Sequence, residues 1–299
     1  MVDILMATYN GEKYIAEQID SILNQNYEDW KLYIRDDGSN DKTLEIIKKY
    51  IYNYPEKIIL IEDSKKNLGV KLNFTELMKY SESDYCMFCD QDDVWLKDKI
   101  TLTLNNMIDM ESKYGKDTPI LVHTDLKVVD TKLNILNESF WNFININPTR
   151  NNLNQLLVEN TVTGCTAMIN KSLRILSSDI PNECVMHDWW LAIIASTMGK
   201  ICVVNDATIL YRQHSNNQIG ARKKSVLEKF QNTKIDFNNN QVKVFLDMYD
   251  LKLSNEQKEI LHKFFMLDKA NFIKRRYIFL KNKYFWNNKV RNIKVFLFM

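Results

Sequence analysis

Short apolar runs alternating with amphipathic stretches fill the first 125 residues, and no other feature of the chain narrows its fold as far. Runs of about four to eight apolar residues bounded by turn residues read as buried strands, whereas apolar residues recurring every third or fourth position read as helices packed by one face. Strands are predicted near residues 3–7, 31–35, 58–62, 85–89 and 120–123. Between them Tyr14, Ile15, Ile19, Ile22 and Leu23 recur at helical spacing, as do Leu44, Ile47 and Ile51, then Ile100, Leu104, Met107 and Ile108. Asn10-Gly11, Asp37-Gly38-Ser39 and Leu68-Gly69 supply turn chemistry where strands should end and helices begin. Strand, crossover helix and strand in repetition build an α/β fold on a mainly parallel sheet. In open sheets of that class ligands settle beyond the carboxyl ends of the strands, so residues at those ends are the first candidates for function.

The second half is less regular. After Asp125 short extended pieces run to Asn147 and an Asn-rich link covers 145–154, which predicts loops and a small accessory sheet. A helix is predicted over about 188–198, then strands near 201–204 and 208–212. Beyond Gly220 the pattern turns long-period and helical, dividing the chain into an α/β domain over 1–220 and a helical appendage over 221–299. With 299 residues, 45% of them hydrophobic, a packed core is affordable and a disordered tail protein is excluded. Five cysteines form an odd set without framework spacing, and no secretory leader precedes Ile4, so a reducing cytoplasm without disulfides is expected. No run reaches the roughly 18 uninterrupted apolar residues needed to span a bilayer.

The residues richest in chemistry are Asp90-Gln91-Asp92-Asp93, which follow the apolar run Tyr85-Cys86-Met87-Phe88-Cys89. Carboxylates this crowded at a strand's end repel one another, and a divalent cation with its anionic ligand relieves that repulsion. Oxygen donors in this number suit Mg²⁺ or Mn²⁺ rather than zinc. An isolated Asp-x-Asp is more often a solvated acidic loop; here its position after the fourth strand favours a site. Cys86 and Cys89 would face opposite sides of that strand and lack a second pair, so they read as core residues.

Taken together, several segments resemble the family-2 glycosyltransferases of the GT-A nucleotide-sugar-binding fold. They are Met6-Ala7-Thr8-Tyr9-Asn10-Gly11, Arg35-Asp36-Asp37-Gly38-Ser39, Asn67-Leu68-Gly69-Val70 with Asn73-Phe74, and the acidic cluster. Gly164-Cys165-Thr166, His187-Asp188-Trp189-Trp190 and Tyr211-Arg212-Gln213-His214 continue the series in the family's order, over about residues 1–220. The resemblance implies an inverting, metal-dependent transfer of a sugar from a nucleoside diphosphate to an acceptor hydroxyl. It assigns Ala7, Thr8, Tyr9, Asn10, Asn67, Gly69, Lys71, Asp90, Gln91 and Gly164 to the donor, and Asp37 to the imide N–H of a uridine or thymidine ring. Asp36 would orient its loop. Asp92, with Asp90 and His214, would hold Mn²⁺ or Mg²⁺, Asp188 would be the base on the acceptor side, and Trp189 and Trp190 would form an apolar wall for a sugar. The Asp-Gln-Asp-Asp-Val-Trp and Tyr-Arg-Gln-His-Ser-Asn-Asn segments are most similar to bacterial rhamnosyltransferases of surface polysaccharide synthesis, which use dTDP-rhamnose. A UDP-sugar donor is the alternative within the family, and a non-catalytic nucleotide-sugar-binding module the alternative outside enzymes. A nucleotidyltransferase is disfavoured, since residues 6–13 lack the Gly-rich basic loop that would hold a triphosphate.

The chain's end carries a different signal. Residues 269–299 hold nine Lys or Arg and no Asp or Glu, so an overall charge of +2 leaves −7 for residues 1–268. Cations mixed with large apolar groups suit an interfacial helix at the anionic inner face of a plasma membrane, which accords with a glycan or lipid-linked acceptor. Packing within the chain or in a homo-oligomer is the competing reading, and nucleic acid the least favoured.

Overall fold

The computed structural model describes residues 1–214 and 238–299, and the expected domain boundary near Gly220 lies outside the described residues. Four strands form a parallel half-sheet in the order β3-β2-β1-β4: β1 (Val2–Thr8), β2 (Trp30–Asp36), β3 (Ile58–Leu60) and β4 (Tyr85–Asp90). Helices α1 (Ile15–Leu23), α2 (Thr43–Asn53) and α3 (Gly69–Met78) make the crossovers. The turn residues act as their chemistry requires: Asn10 and Asn67 take left-handed backbone, and Gly69 begins α3 at φ 76°. Ile15, Ile19 and Ile22 of α1 are fully buried against the sheet, each side chain contributing about 1.5–3 kcal/mol. The sheet order reverses at β1, which has β2 on one side and β4 on the other, so a crevice opens at their carboxyl ends where Ala7 pairs with Asp90.

The irregular second half does not form a separate accessory sheet. Its strands β6 (Ile120–Val129), β8 (Ala167–Asn170) and β9 (Lys200–Arg212) extend the first sheet past β4, with the short β5 (Val94–Trp95) beyond β9 and β7 (Ile135–Asn137) paired to β6. The two strands expected over 201–212 are one, because β9 absorbs Asn205 and Asp206 as a bulge where Thr124 pairs with Val204 and Asp125 with Ala207. Two polar residues in buried β6 are satisfied laterally, Thr124 by Thr208 at 2.7 Å and Asp125 by Ser139 at 2.5 Å. The curled sheet is mostly parallel, as the alternation predicts.

The remaining helices are α4 (Lys99–Tyr114), α5 (Phe140–Ile144), α6 (Leu153–Leu156), α7 (Lys171–Leu176), α8 (His187–Met198), α9 (Asn239–Tyr249), α10 (Asn255–Phe265), α11 (Phe272–Lys281) and α12 (Lys289–Phe298). One apolar cluster covers each face of the sheet, and Cys86 and Cys89 fall into different ones, on opposite faces of β4. Helix α8 is apolar nearly all round because it is covered on both sides, by the sheet and by the C-terminal helices that share its cluster. Among the described residues no helix is long and apolar enough to cross a membrane.

Candidate active site

A cavity of about 990 Å³ opens at the carboxyl ends of β1, β2 and β4. Its first wall is the loop after β1: Ala7, Thr8, Tyr9 and Asn10 all line it. Gln91 clasps this loop, its Oε1 accepting from the Tyr9 N–H and its Nε2 donating to the Tyr9 carbonyl, both at 2.9 Å. Asp36 turns away from the cavity to accept from the Thr8 hydroxyl at 2.9 Å and from the Ser39 N–H at 2.8 Å, which fixes the two loops together.

Asp37 lines the cavity with Asn67 and Gly69. Its carboxylate oxygens accept from the Leu68 N–H at 2.9 Å and the Gly69 N–H at 2.8 Å, and Arg35 donates to it at 3.3 Å. Arg35 is buried, and burial opposes its charge. The Asp63 carboxylate, gripped through two bonds of 2.8 and 2.9 Å, and Asp37 outweigh that cost and hold the guanidinium pKa above its ordinary value. Asn73 on α3 completes the support by accepting from Arg35 at 3.1 Å.

At the end of β4, Asp90, Gln91 and Asp92 line the cavity, and His214 arrives from the end of β9 with Nε2 2.8 Å from Asp92 Oδ2. Tyr14 stacks on the His214 ring at 4.9 Å. Burial, then the charges of Asp92 and Asp188, push Asp90 up to about 7. Asp93 turns inward: it is fully buried, one oxygen accepts from the Arg212 N–H at 3.2 Å, and the other lacks a partner among the described residues. Asp90, Asp93 and Cys165 bring potential ligand atoms within 4.8 Å of one another. That inner group is poorly suited to a cation arriving with a nucleotide, because Asp93 lies behind the cavity wall and burial holds the Cys165 thiol well above its usual pKa. The outward pair Asp92 and His214 faces the open space.

Arg212 holds the acidic loop in place. Buried beneath it, the guanidinium donates to the Asp92 carbonyl and the Thr131 carbonyl, both at 2.9 Å, pairs with Glu17, and lies 4.6 Å from the Tyr14 ring centre. Arg212→Met should therefore lower unfolding free energy by about 2 kcal/mol, since two part-buried carbonyls lose their donor and Glu17 its partner. Thermal melting checks this, and an unchanged Tm would contradict it.

Across the cavity, Asp188 lies in the first turn of α8, with Met186 rather than Asp188 as the N-cap. Its Oδ2 accepts from the Gly164 N–H at 2.9 Å and its Oδ1 from the Trp189 N–H at 2.6 Å. Gly164 is required for this approach, because a Cβ there would stand 2.9 Å from His187 Nε2 and 3.5 Å from Asp188 Cβ. Burial raises Asp188 to about 6, against the opposing pull of the two backbone donors.

Two expected contacts are corrected. Lys71 does not line the cavity; its ammonium donates to the carbonyls of Asn182 at 2.5 Å and Cys184 at 2.9 Å, tying α3 to the loop before α8. Trp190 is fully buried against Phe245 and Tyr249 of α9, because one residue turns the helix by about 100°. Trp189 alone of the pair lines the cavity, with its indole N–H bonded to the Leu156 carbonyl. Sequence reasoning also left Phe140, Tyr211 and His187 unassigned, though all three line the cavity. His187 and Tyr211 stand in segments that carry the resemblance but had no role of their own, and His187 packs against the rings of Phe74 and Phe88 at 4.4 and 5.1 Å.

The sequence profile of glycosyl transferase family 2 matches residues 3–175. The chain is also 31% identical over 228 residues to the dTDP-rhamnosyl transferase RfbG of Shigella flexneri, covering 72% of this chain and 74% of that protein. The chain belongs to glycosyl transferase family 2. This glycosyltransferase is further similar to the UDP-Glc:alpha-D-GlcNAc-diphosphoundecaprenol beta-1,3-glucosyltransferase WfgD of Escherichia coli, 31% identical over 112 residues, 36% of this chain and 41% of the other. Among solved structures it resembles S. aureus TarS 1–349 in complex with UDP-GlcNAc, with a TM-score of 0.55 at 15% identity over 99% of this chain and 89% of that one. It also resembles the mannosyltransferase PcManGT from Pyrobaculum calidifontis in complex with GDP-Man and Mn2+, with a TM-score of 0.59 at 15% identity over 93% of this chain and 72% of that one. The structural likenesses establish the GT-A fold of the glycosyltransferase.

Proposed function

We propose that the glycosyltransferase moves rhamnose from dTDP-rhamnose onto a hydroxyl of a glycan or lipid-linked acceptor in surface polysaccharide synthesis, inverting the anomeric carbon, at the cytoplasmic face of a membrane. The observation that carries this reading is the convergence of Asp37, the Asp92 and His214 pair, and Asp188 on one cavity. The similarity to RfbG, which spans most of both chains, supports the rhamnose donor over the UDP-sugar alternative.

Asp37 Oδ1 accepts from the Leu68 N–H and from Arg35, whereas Oδ2 spends one lone pair on the Gly69 N–H and keeps another for the imide N–H of a thymine or uracil ring. The residues at the far end fit a divalent cation: Asp92 and His214 already point at one another, and Asp90, raised first by burial and then by the charges of Asp92 and Asp188, lines the same cavity. Asp92 and Asp90, with His214, would hold the ion, the carboxylate donors suiting Mn²⁺ or Mg²⁺. When bound, such an ion offsets negative charge on the departing nucleoside diphosphate. Asp188 removes the proton from the acceptor hydroxyl as its oxygen bonds to the anomeric carbon and the bond from that carbon to the diphosphate oxygen breaks. The proton ends on the Asp188 carboxylate and the electron pair on the diphosphate, so no sugar–enzyme intermediate is needed. Trp189, with its indole N–H occupied, presents an apolar ring to the incoming sugar.

Isotope transfer from dTDP-rhamnose, UDP-glucose and UDP-GlcNAc, with Mn²⁺ and a panel of glycan and lipid-linked acceptors, tests the proposal. dTDP-rhamnose should be consumed fastest and give a product of inverted configuration. Faster use of a UDP-sugar would overturn the donor assignment, and nucleotide binding without transfer or hydrolysis would leave a non-catalytic module.

A further inference from the structure

The basic, aromatic end of the chain folds into two short helices whose outer faces are apolar. On α11, Phe272, Ile273, Tyr277 and Leu280 are exposed, Ile273 at 80%. At 100° per residue they occupy an arc of about 140° on one side, while buried Ile278 and Phe279 face the protein. On α12, Val290, Ile293, Leu297 and Phe298 form a second such arc, with Phe298 69% exposed. Arg276 joins the two helices: its guanidinium lies 3.3 Å from the Phe272 ring centre and 5.4 Å from that of Phe296, and it donates to the Leu297 carbonyl at 2.7 Å and the Met299 carbonyl at 3.0 Å.

Exposed apolar side chains of this size are costly in water unless something covers them. The charge around them selects what does. Lys274, Lys281, Lys283 and Lys289 are exposed beside or between the arcs, and no carboxylate side chain occurs in 269–299, although Lys281 also feels the charge of Glu259 on α10. A second copy of this face would bring like charges together, whereas an anionic bilayer offers both an apolar interior for the arcs and negative headgroups for the lysines.

The link between the helices is fastened to a segment that connects two cavity-lining stretches. The Phe285 carbonyl accepts from Arg150, the Asn282 carbonyl from Asn154 at 3.0 Å, and Glu159 accepts from the Asn287 N–H at 2.7 Å. These contacts hold 282–287 against 150–159, a segment whose two ends lead into the cavity-lining Ile144 and Asn160.

We propose that α11 and α12 are a docking surface for anionic phospholipid bilayers, fastened to the segment that runs between the cavity-lining Ile144 and Asn160. Docking itself stands apart from the transferase reading; its use, to hold the cavity near a lipid-linked acceptor, rests on that reading. Co-sedimentation of the full chain with vesicles of phosphatidylglycerol mixed with phosphatidylcholine, and of phosphatidylcholine alone, tests it. The wild type should bind the anionic vesicles, release them as salt rises, and bind the neutral ones weakly. Two double variants on exposed positions, Ile273→Ser with Phe298→Ser and Lys274→Gln with Lys281→Gln, should each lose roughly tenfold in partitioning while keeping the wild-type Tm and the wild-type rate of donor hydrolysis in lipid-free buffer. Equal partitioning of wild type and variants would overturn the proposal. So would a dimer, seen by analytical ultracentrifugation, that Ile273→Ser with Phe298→Ser dissolves while vesicle binding is absent throughout.

Discussion

Asp188→Asn should slow sugar transfer by about 10²–10⁴-fold, the range a positioned general base contributes, while donor affinity stays within about twofold of wild type. The asymmetry follows from geometry. Asp188 sits across the cavity from Asp37 and the loop after β1, and an Asn there keeps the bond from the Gly164 N–H through its one oxygen, giving up only the bond from the Trp189 N–H in the first turn of α8. What is lost is the proton acceptor. The pH profile gives an independent reading, because burial raises Asp188 to about 6 and only its ionised form can take a proton. In the wild type at saturating Mn²⁺, kcat/KM should therefore fall about tenfold per pH unit once pH drops below about 6, and the residual activity of Asp188→Asn should lack that limb. Unchanged transfer in the variant would remove Asp188 from the reaction.

Asp92→Asn should act on the other half of the site, lowering turnover by about 10³-fold or more and abolishing the metal dependence of donor binding. Losing a charged ligand to the ion costs several kcal/mol of stabilisation on the departing diphosphate, and about 4 kcal/mol corresponds to that factor. The variant should stay folded, since Arg212 grips the Asp92 backbone carbonyl rather than its carboxylate. Calorimetric titration of dTDP with and without Mn²⁺ separates the two variants: Asp188→Asn keeps the metal-dependent heat, and Asp92→Asn loses it. Wild-type metal dependence in Asp92→Asn would move the ion to the inner group of Asp90, Asp93 and Cys165.

The parts legible in the sequence were those where a local period or turn carries the information. Strands β1, β2 and β4 announce themselves as apolar runs ended by Asn10-Gly11, Asp37-Gly38 and the acidic cluster, and their carboxyl ends do bound the cavity. The strand expected near 120–123 runs on to Val129 as β6, through Thr124 and Asp125, whose polar side chains find partners, Thr208 and Ser139, that are distant in sequence. The same limit hid the fate of Trp190. A helix covered on both sides has no polar stripe to mark its orientation, so nothing in residues 187–198 distinguishes the tryptophan facing the cavity from the one facing α9. Lys71 illustrates the reach of a long side chain: its position after Gly69 is close to the site, but its ammonium finds two carbonyls elsewhere. The approach of Gly164 to Asp188, and of His214 to Asp92 over 122 positions, follows from sheet order, which spacing alone does not encode.

A crystal structure of the chain with dTDP and Mn²⁺ tests the central claim most directly. The account predicts the thymine ring against Asp37, the ion on Asp92 and His214 with the diphosphate beside it, and Asp188 facing the remaining open volume within one sugar's width of the terminal phosphate. Nucleotide bound outside this cavity, or a diphosphate lodged away from Asp92 with Asp188 turned from it, would contradict the account.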